Sequence, residues 1–129
     1  MIIINLFVGS RYPIDRKKIR NRVKDVLQKN KIEEAQVDVS VVGQRKIKEL
    51  NEKKLHHQGV TDVLSFPQCD KDQPNDFPLP TNMPPHLGDV VICFPEAVRT
   101  AKRYGKMVDE QICLYLEHGL MHLLGYHHE

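Results

Sequence analysis

The chain has 129 residues, of which 40% are hydrophobic and 28% charged, a balance typical of one globular domain and a length too small for two. It contains no apolar run of the roughly 18–20 residues that a membrane-spanning helix needs. The first residues lack a basic region and a cleavage site, which argues against a signal peptide. Three cysteines without a CxxC pair (Cys69, Cys93 and Cys113) fit a reducing compartment. We therefore expect a cytoplasmic protein with a single domain over residues 1–129 and no contact with membranes.

Charge is distributed unevenly along the chain. Residues 1–57 hold 14 Lys and Arg against 7 Asp and Glu, whereas the remaining residues hold 5 against 10. A basic half of this kind favours a surface that faces a polyanion, most plausibly a nucleic acid. Solvated helix faces produce the same pattern, so charge alone does not decide between the two explanations.

The first half of the chain predicts two strands and two helices. Residues 2–7 are β-branched and apolar and predict a strand. From Asp15 onward apolar residues recur with helical spacing, which predicts a helix of about four turns with one buried stripe. Alternating valines predict a second strand over 36–42, and residues 44–55 after Gly43 predict a second, basic helix. The buried stripe of the first helix consists of Ile19, Val23, Val26 and Leu27.

The second half predicts four more elements around a long loop. Residues 67–87 contain six of the eight prolines, which excludes a helix or a central strand there. Pro95 suits the first turn of a helix, Asp109 is a candidate N-cap, and Gly105 and Gly125 suit helix ends. The order of elements predicts one layered α/β (α+β-like) domain. The predicted elements are a strand over 62–66, a strand over 88–94, a helix over 95–104 and a helix over 109–124.

Four histidines lie in or just after the last predicted helix. His118 and His122 are four residues apart, so their imidazoles share one helix face and can reach one ion. If Gly125 reverses the chain, His128 can return to the same point, with His127 as a rival. Three imidazoles on a tetrahedral Zn²⁺ leave one position open for water, as in catalytic zinc sites. A single histidine here would be explained more simply by core packing, but packing rarely produces this whole set.

The same histidine spacing occurs in metzincin proteases. Those enzymes have a glutamate directly after the first histidine, and this glutamate is the general base of peptide hydrolysis. Here that position is Gly119, which cannot accept a proton. The pattern therefore favours a metal centre and argues against a protease of this class.

Three sequence motifs resemble the YbeY family of metal-dependent endoribonucleases, which act in ribosomal RNA maturation. They are TDVLSFP at 61–67, LGDVVI at 87–92 and HGLMHLLGYHH at 118–128, and the resemblance extends over residues 2–129. It implies a small four-stranded mixed sheet packed with about four helices, with the metal-binding helix at the C-terminus. It also implies one Zn²⁺ per chain, held by His118, His122 and His128. The implied partners are single-stranded RNA, ribosomal RNA and ribosomal proteins.

Two positions depart from the family pattern. Leu55 stands where the family commonly has an arginine that contacts RNA phosphate, and His127 stands where it usually has aspartate. Lys54, His56 or His57 could replace this phosphate contact, although lysine lacks the two-pronged geometry of arginine. The candidate RNA-binding residues are Lys53, Lys54 and His56. The backbone of residues 62–66 is a candidate edge along which substrate would lie.

The general base is not assigned by the sequence. Water activated by the metal would attack the phosphodiester, with Asp62, Asp89 and His127 as candidate proton acceptors, although a cap or turn is the more common role for each. Activation of the 2′-hydroxyl is the alternative route. Glu117 lies about 100° around the helix from His118, so we expect it to point elsewhere.

Two other classes of function stay open at this point. One is a ribosome-associated RNA-binding protein whose zinc is structural, and the other is a metallopeptidase-like hydrolase. An activity assay separates the three classes. The nuclease would cleave RNA, the peptidase would cleave a peptide, and the RNA-binding protein would cleave neither. Loss of the fold on metal removal would favour a structural zinc.

Overall fold

The computed structural model describes residues 1–9, 11–54, 63–67 and 84–125. It contains the eight predicted elements in the predicted order, with bounds that differ by one or two residues. The predicted loop is shorter than expected at both ends, because Pro67 belongs to the third strand and the fourth strand begins at His86. Residues 68–83 lie outside the described part. The elements are β1 (Ile2–Val8), α1 (Arg16–Lys29), β2 (Ala35–Val42), α2 (Gln44–Lys54), β3 (Val63–Pro67), β4 (His86–Cys93), α3 (Phe94–Tyr104) and α4 (Val108–Leu123).

The first helix forms as its sequence predicts. The Asp15 side chain accepts a hydrogen bond from the backbone N–H of Lys18 at 3.1 Å, which satisfies one of the free donors at the helix start. The four residues of the predicted apolar stripe are all buried. Burial of such side chains stabilises the fold by about 1.5–3 kcal/mol each, so this stripe fixes which side of α1 faces the sheet.

The four strands form one mixed sheet in the order β1-β2-β4-β3. Strands β1, β2 and β4 run parallel, and β3 pairs with β4 in the antiparallel direction. The mixed four-stranded sheet with four helices that the resemblance implies is therefore confirmed. Helices α1 and α4 cover one side, on which Val39, Val90 and Ile92 are buried, and we call this side the α4 face. On the opposite side, the α2 face, Ile47 of α2 packs against Val91 and Leu64.

The last helix begins without the cap that the sequence predicts. Met107 occupies the N-cap position and makes no side-chain hydrogen bond, so the prediction of Asp109 as N-cap is wrong. Asp109 lies in the first turn instead, where its Oδ1 accepts a hydrogen bond from the backbone N–H of Asp15 at 3.4 Å. Gly125 follows the helix with a φ of 93°, a left-handed conformation that glycine adopts freely. Although α4 is strongly apolar, neither it nor another helix in the described ranges could cross a membrane.

Candidate metal centre and the opposite sheet face

Gly119 sets the distance between α4 and the sheet. A Cβ atom at this position would lie 2.6 Å from Cγ1 of Val90 and 3.1 Å from its Cγ2. The glycine therefore lets the helix backbone approach β4 more closely than any other residue would allow. The contact also explains why no glutamate can stand at the metzincin position here, since Val90 occupies the space that its side chain would need.

His118 and His122 flank this contact on the side of α4 that turns toward β3. Both side chains are exposed, and their ring centroids lie 6.3 Å apart with the ring planes at 43°. Because Zn²⁺ holds imidazole nitrogens at about 2.0–2.1 Å, two rings on one tetrahedral ion have centroids about 5 Å apart. The observed separation is longer than this value, and zinc binding by the pair stays a prediction of the sequence.

A cleft of about 220 Å³ lies between the histidine pair and the third strand. The wall opposite the histidines is formed by β3, part of the edge at 62–66 along which the sequence predicts that substrate lies. The third predicted ligand, His128, lies outside the described residues, and so do His127, Asp62 and His56. The cleft is lined by Val63, Leu64, Ser65, His118, Gly119 and His122.

Glu117 points away from this cleft. Its Oε1 accepts a short hydrogen bond from Nη1 of Arg22 on α1, as the helical geometry leads us to expect. This bond raises the pKa of the Arg22 guanidinium, with burial of the group opposing the shift. Glu117 therefore serves the contact between α1 and α4 and is not placed to act as the general base.

Some basic residues of the first half bind groups of the same chain, and others are exposed on α1 and α2. Arg22 is paired with Glu117, and Arg20 donates to the backbone oxygen of Ile4 at 2.8 Å. Lys53 is exposed near the end of α2, and Lys54 is the last residue of that helix. The exposed basic side chains of α1 are Arg16, Lys17, Lys24 and Lys29.

The structure does not bring Asp89 together with the histidine pair. Asp89 precedes Val90 on β4, so its side chain projects from the α2 face, whereas His118 and His122 lie on the α4 face. There it meets two groups that sequence reasoning missed, Asp38 and His86. Each of the three offers a potential metal ligand, and these ligand atoms all lie within 4.8 Å of one another.

The cluster of Asp38, His86 and Asp89 is half-buried and holds two carboxyl groups close together. Burial raises the pKa of Asp89, and the adjacent Asp38 raises it further through a hydrogen bond and charge repulsion, while His86 lowers it. Asp38 also accepts a hydrogen bond from Nδ2 of Asn5 at 2.7 Å. The sequence signal for this cluster is weak, because Asp38 occupies a polar position of the alternating strand β2 and Asp89 is a charged residue in the more apolar strand β4.

Fold and site together define a small α/β protein that carries a histidine pair on its last helix, against the edge of a mixed sheet. A family model described as Endoribonuclease YbeY matches residues 8–129. The chain belongs to this family, and the resemblance seen in its motifs is confirmed.

Individual relatives show the same likeness. The chain is 34% identical to an Endoribonuclease YbeY of Persephonella marina, over 99% of this chain and 78% of that protein. It is 40% identical to one of Dehalococcoides mccartyi, over 74% of this chain. It is 43% identical to one of Myxococcus xanthus, over 73% of this chain.

The extent of the match differs between relatives. The match spans 63% of the Dehalococcoides protein's length and 30% of the Myxococcus protein's length, so it covers less than two thirds of either. A solution structure from Thermotoga maritima superposes on the whole of this chain and 75% of its own, with a TM-score of 0.61 and 26% identity. It therefore supports the fold over the entire chain.

Proposed function

We propose that this protein is a zinc-dependent endoribonuclease that cleaves single-stranded RNA during ribosomal RNA maturation and ribosome quality control. The observation that carries the proposal is the exposed pair His118 and His122 beside the β3 cleft, in a chain that belongs to the Endoribonuclease YbeY family. His128 is the third ligand in this proposal, with one ion per chain. The cytoplasm and the ribosome are the proposed setting.

The chain's own groups would divide the work of binding and positioning. His118 and His122 hold the ion on the side of α4 that turns toward β3, and the Gly119–Val90 contact keeps that helix against the sheet. A zinc ion there supplies Lewis-acid chemistry, because it polarises a phosphoryl oxygen and makes water a stronger acid near neutral pH. The backbone of β3 forms the opposite wall of the cleft, along which an extended strand of RNA would lie.

Phosphate binding would come from the basic half of the chain. The exposed side chains of Lys53 and of α1 supply contacts that are independent of base sequence, so RNA binding weakens steeply with salt. Stacking contributes little to base selection, since aromatic residues make up only 6% of the chain and tryptophan is absent. Ribosomal proteins are the proposed source of site selection.

The test is cleavage of a short labelled single-stranded RNA by wild type, His122→Ala and Glu110→Ala, with zinc content measured on all three. Glu110 is exposed on the same helix, so its variant controls for changes to α4 that spare the metal centre. We expect wild type and Glu110→Ala to bind zinc and cleave, and His122→Ala to lose both properties. A zinc-loaded wild type that binds RNA and cuts nothing would favour the structural-zinc alternative.

A further inference from the structure

Two carboxylates lie directly opposite each other in the centre of the sheet. The parallel register of β2 and β4 pairs Asp38 with Asp89, and Asn5 of β1 pairs with Asp38 in the same row. Like charges in directly opposed positions destabilise a sheet. Asn5 Nδ2 donates a hydrogen bond to Oδ1 of Asp38, and the second carboxylate oxygen, Oδ2, faces His86 of β4.

A β-bulge adds an imidazole to this pair. The register shifts between Gln36 and Val37, which pair with His86 and Gly88 respectively, so Leu87 is an extra residue in β4. His86 and Asp89 are three positions apart and would point to opposite faces of a regular strand. The extra residue reverses the alternation and brings both side chains to the α2 face.

The imidazole nitrogen is placed as a ligand would be. Nε2 of His86 is buried, lies 3.3 Å from Oδ2 of Asp38 and has no hydrogen-bond partner among the residues that the structure describes. Two ligands held at about 2.0–2.2 Å from a tetrahedral Zn²⁺ are themselves about 3.3–3.5 Å apart. The observed separation therefore matches two ligands of one ion, whereas a direct charge-assisted hydrogen bond would be about 2.7–2.9 Å long.

We propose that Asp38, His86 and Asp89 form a second cation site, which binds a divalent transition metal ion on the α2 face. Two carboxylates with one imidazole suit Zn²⁺ or Mn²⁺ better than Mg²⁺, which prefers oxygen ligands alone. The ion neutralises the opposed carboxylates, and Asn5 orients one of them. A cleft of about 370 Å³, lined in part by Asp38, Ser40 and Asp89, gives the ion access from solvent.

The site is tested in a protein from which the histidine pair of α4 has been removed. In the variant His118→Ala/His122→Ala, binding of Zn²⁺, Mn²⁺ and Mg²⁺ is measured by calorimetry, and bound metal is counted after gel filtration. We expect one bound Zn²⁺ or Mn²⁺ per chain and at least tenfold weaker binding of Mg²⁺. Adding His86→Leu or Asp89→Asn weakens transition-metal binding at least tenfold, while adding Asp25→Asn, at an exposed position on α1, leaves it unchanged.

Each outcome decides the question. If the background variant binds no ion, or if the ion that it binds is indifferent to both His86→Leu and Asp89→Asn, the second site does not exist. Asp89→Asn guards against misfolding as an explanation, because it removes the repulsion and keeps the size of the side chain. The result is also independent of RNA cleavage, since a protein without this site can still cut RNA with the α4 histidines.

Discussion

The two faces of the sheet present polar groups in different ways. On the α4 face, His118 and His122 are supplied by one helix, and their relative position follows from the helical repeat. On the α2 face, Asp38, His86 and Asp89 are supplied by two strands, and they meet only because of the strand register and one bulge. The first arrangement is local and solvent-exposed, whereas the second is long-range and half-buried. A change in strand pairing would therefore disperse the second cluster and leave the histidine pair intact.

Metal removal has the largest expected effect, and it separates the chemistry of the α4 face from the stability of the fold. Chelation should lower RNA cleavage at least a hundredfold, because the proposed Lewis acid is lost, and added Zn²⁺ should restore it. Helical circular dichroism should be largely retained, since a packed core surrounds the histidine helix. Unfolding of the protein on chelation would instead indicate a structural zinc.

The second largest effect is expected at the contact between Gly119 and Val90, beneath the histidine pair. Gly119→Ala should destabilise the protein by about 1–3 kcal/mol, because the added Cβ has no room beside Val90. The loss outweighs the better helix propensity of alanine, which is worth about 1 kcal/mol. Denaturant unfolding measures the effect, and Val90→Ala should partly restore stability in the double variant. Equal stability of Gly119→Ala and wild type would contradict the close approach of α4 to β4.

On the α2 face a loss of charge should stabilise the metal-free protein. Asp89→Asn removes a carboxylate opposed to Asp38 and should raise the free energy of unfolding by about 0.5–1 kcal/mol at neutral pH. The pKa of Asp89 is higher in the folded state than in the unfolded state, so the ionised carboxylate destabilises the folded protein above that pKa. As the pH falls through this pKa, Asp89 takes up a proton and the destabilisation disappears. The advantage of the variant should therefore shrink in acid. Unfolding in the presence of a chelator at several pH values measures it, and a destabilised variant at neutral pH would contradict the repulsion.

The smallest expected effect concerns the carboxylate beside the first histidine. Glu117→Gln should change RNA cleavage by less than about twofold, because Glu117 is bound to Arg22 and faces away from the cleft. Its exposed ion pair should contribute less than about 1 kcal/mol to stability. Cleavage rates and unfolding curves of the same preparation check both values. A large loss of cleavage with unchanged stability would make Glu117 the base after all.

Much of the fold could be predicted because its determinants are local. The stripe on α1 and the alternating valines of β2 show helical and extended periods directly, and the structure buries the residues that they indicate. The sequence could not predict that α4 lacks a side-chain N-cap. Asp109 has a side chain that suits a cap, but the backbone begins the helix two residues earlier, with Met107 at the N-cap position. The predicted start of β4 at residue 88 is two residues too late for a similar reason, since the prolines before it give a stronger local signal.

The two candidate sites also differ in whether local sequence determines them. The spacing of His118 and His122 predicts their common helix face, whereas Asp38 on its own fits the solvent side of an alternating strand. Its proximity to His86 depends on which strand pairs with β2 and on where the bulge falls. Both are decided by contacts between distant parts of the chain, and no local pattern carries that information.

The extra residue in β4 also affects how the second cluster would change in evolution. The bulge lies near the start of the strand, so deletion of Leu87 would leave the register from Gly88 to Cys93 unchanged. It would place His86 two positions before Asp89, so both side chains would stay on the α2 face of a regular strand, with Asp38 and Asp89 still paired. Either the bulge or the loss of this one codon therefore brings His86 to the face of Asp38 and Asp89, whereas a regular strand that kept Leu87 would not. The Gly119–Val90 contact under the histidine pair would be inherited unaltered in either case.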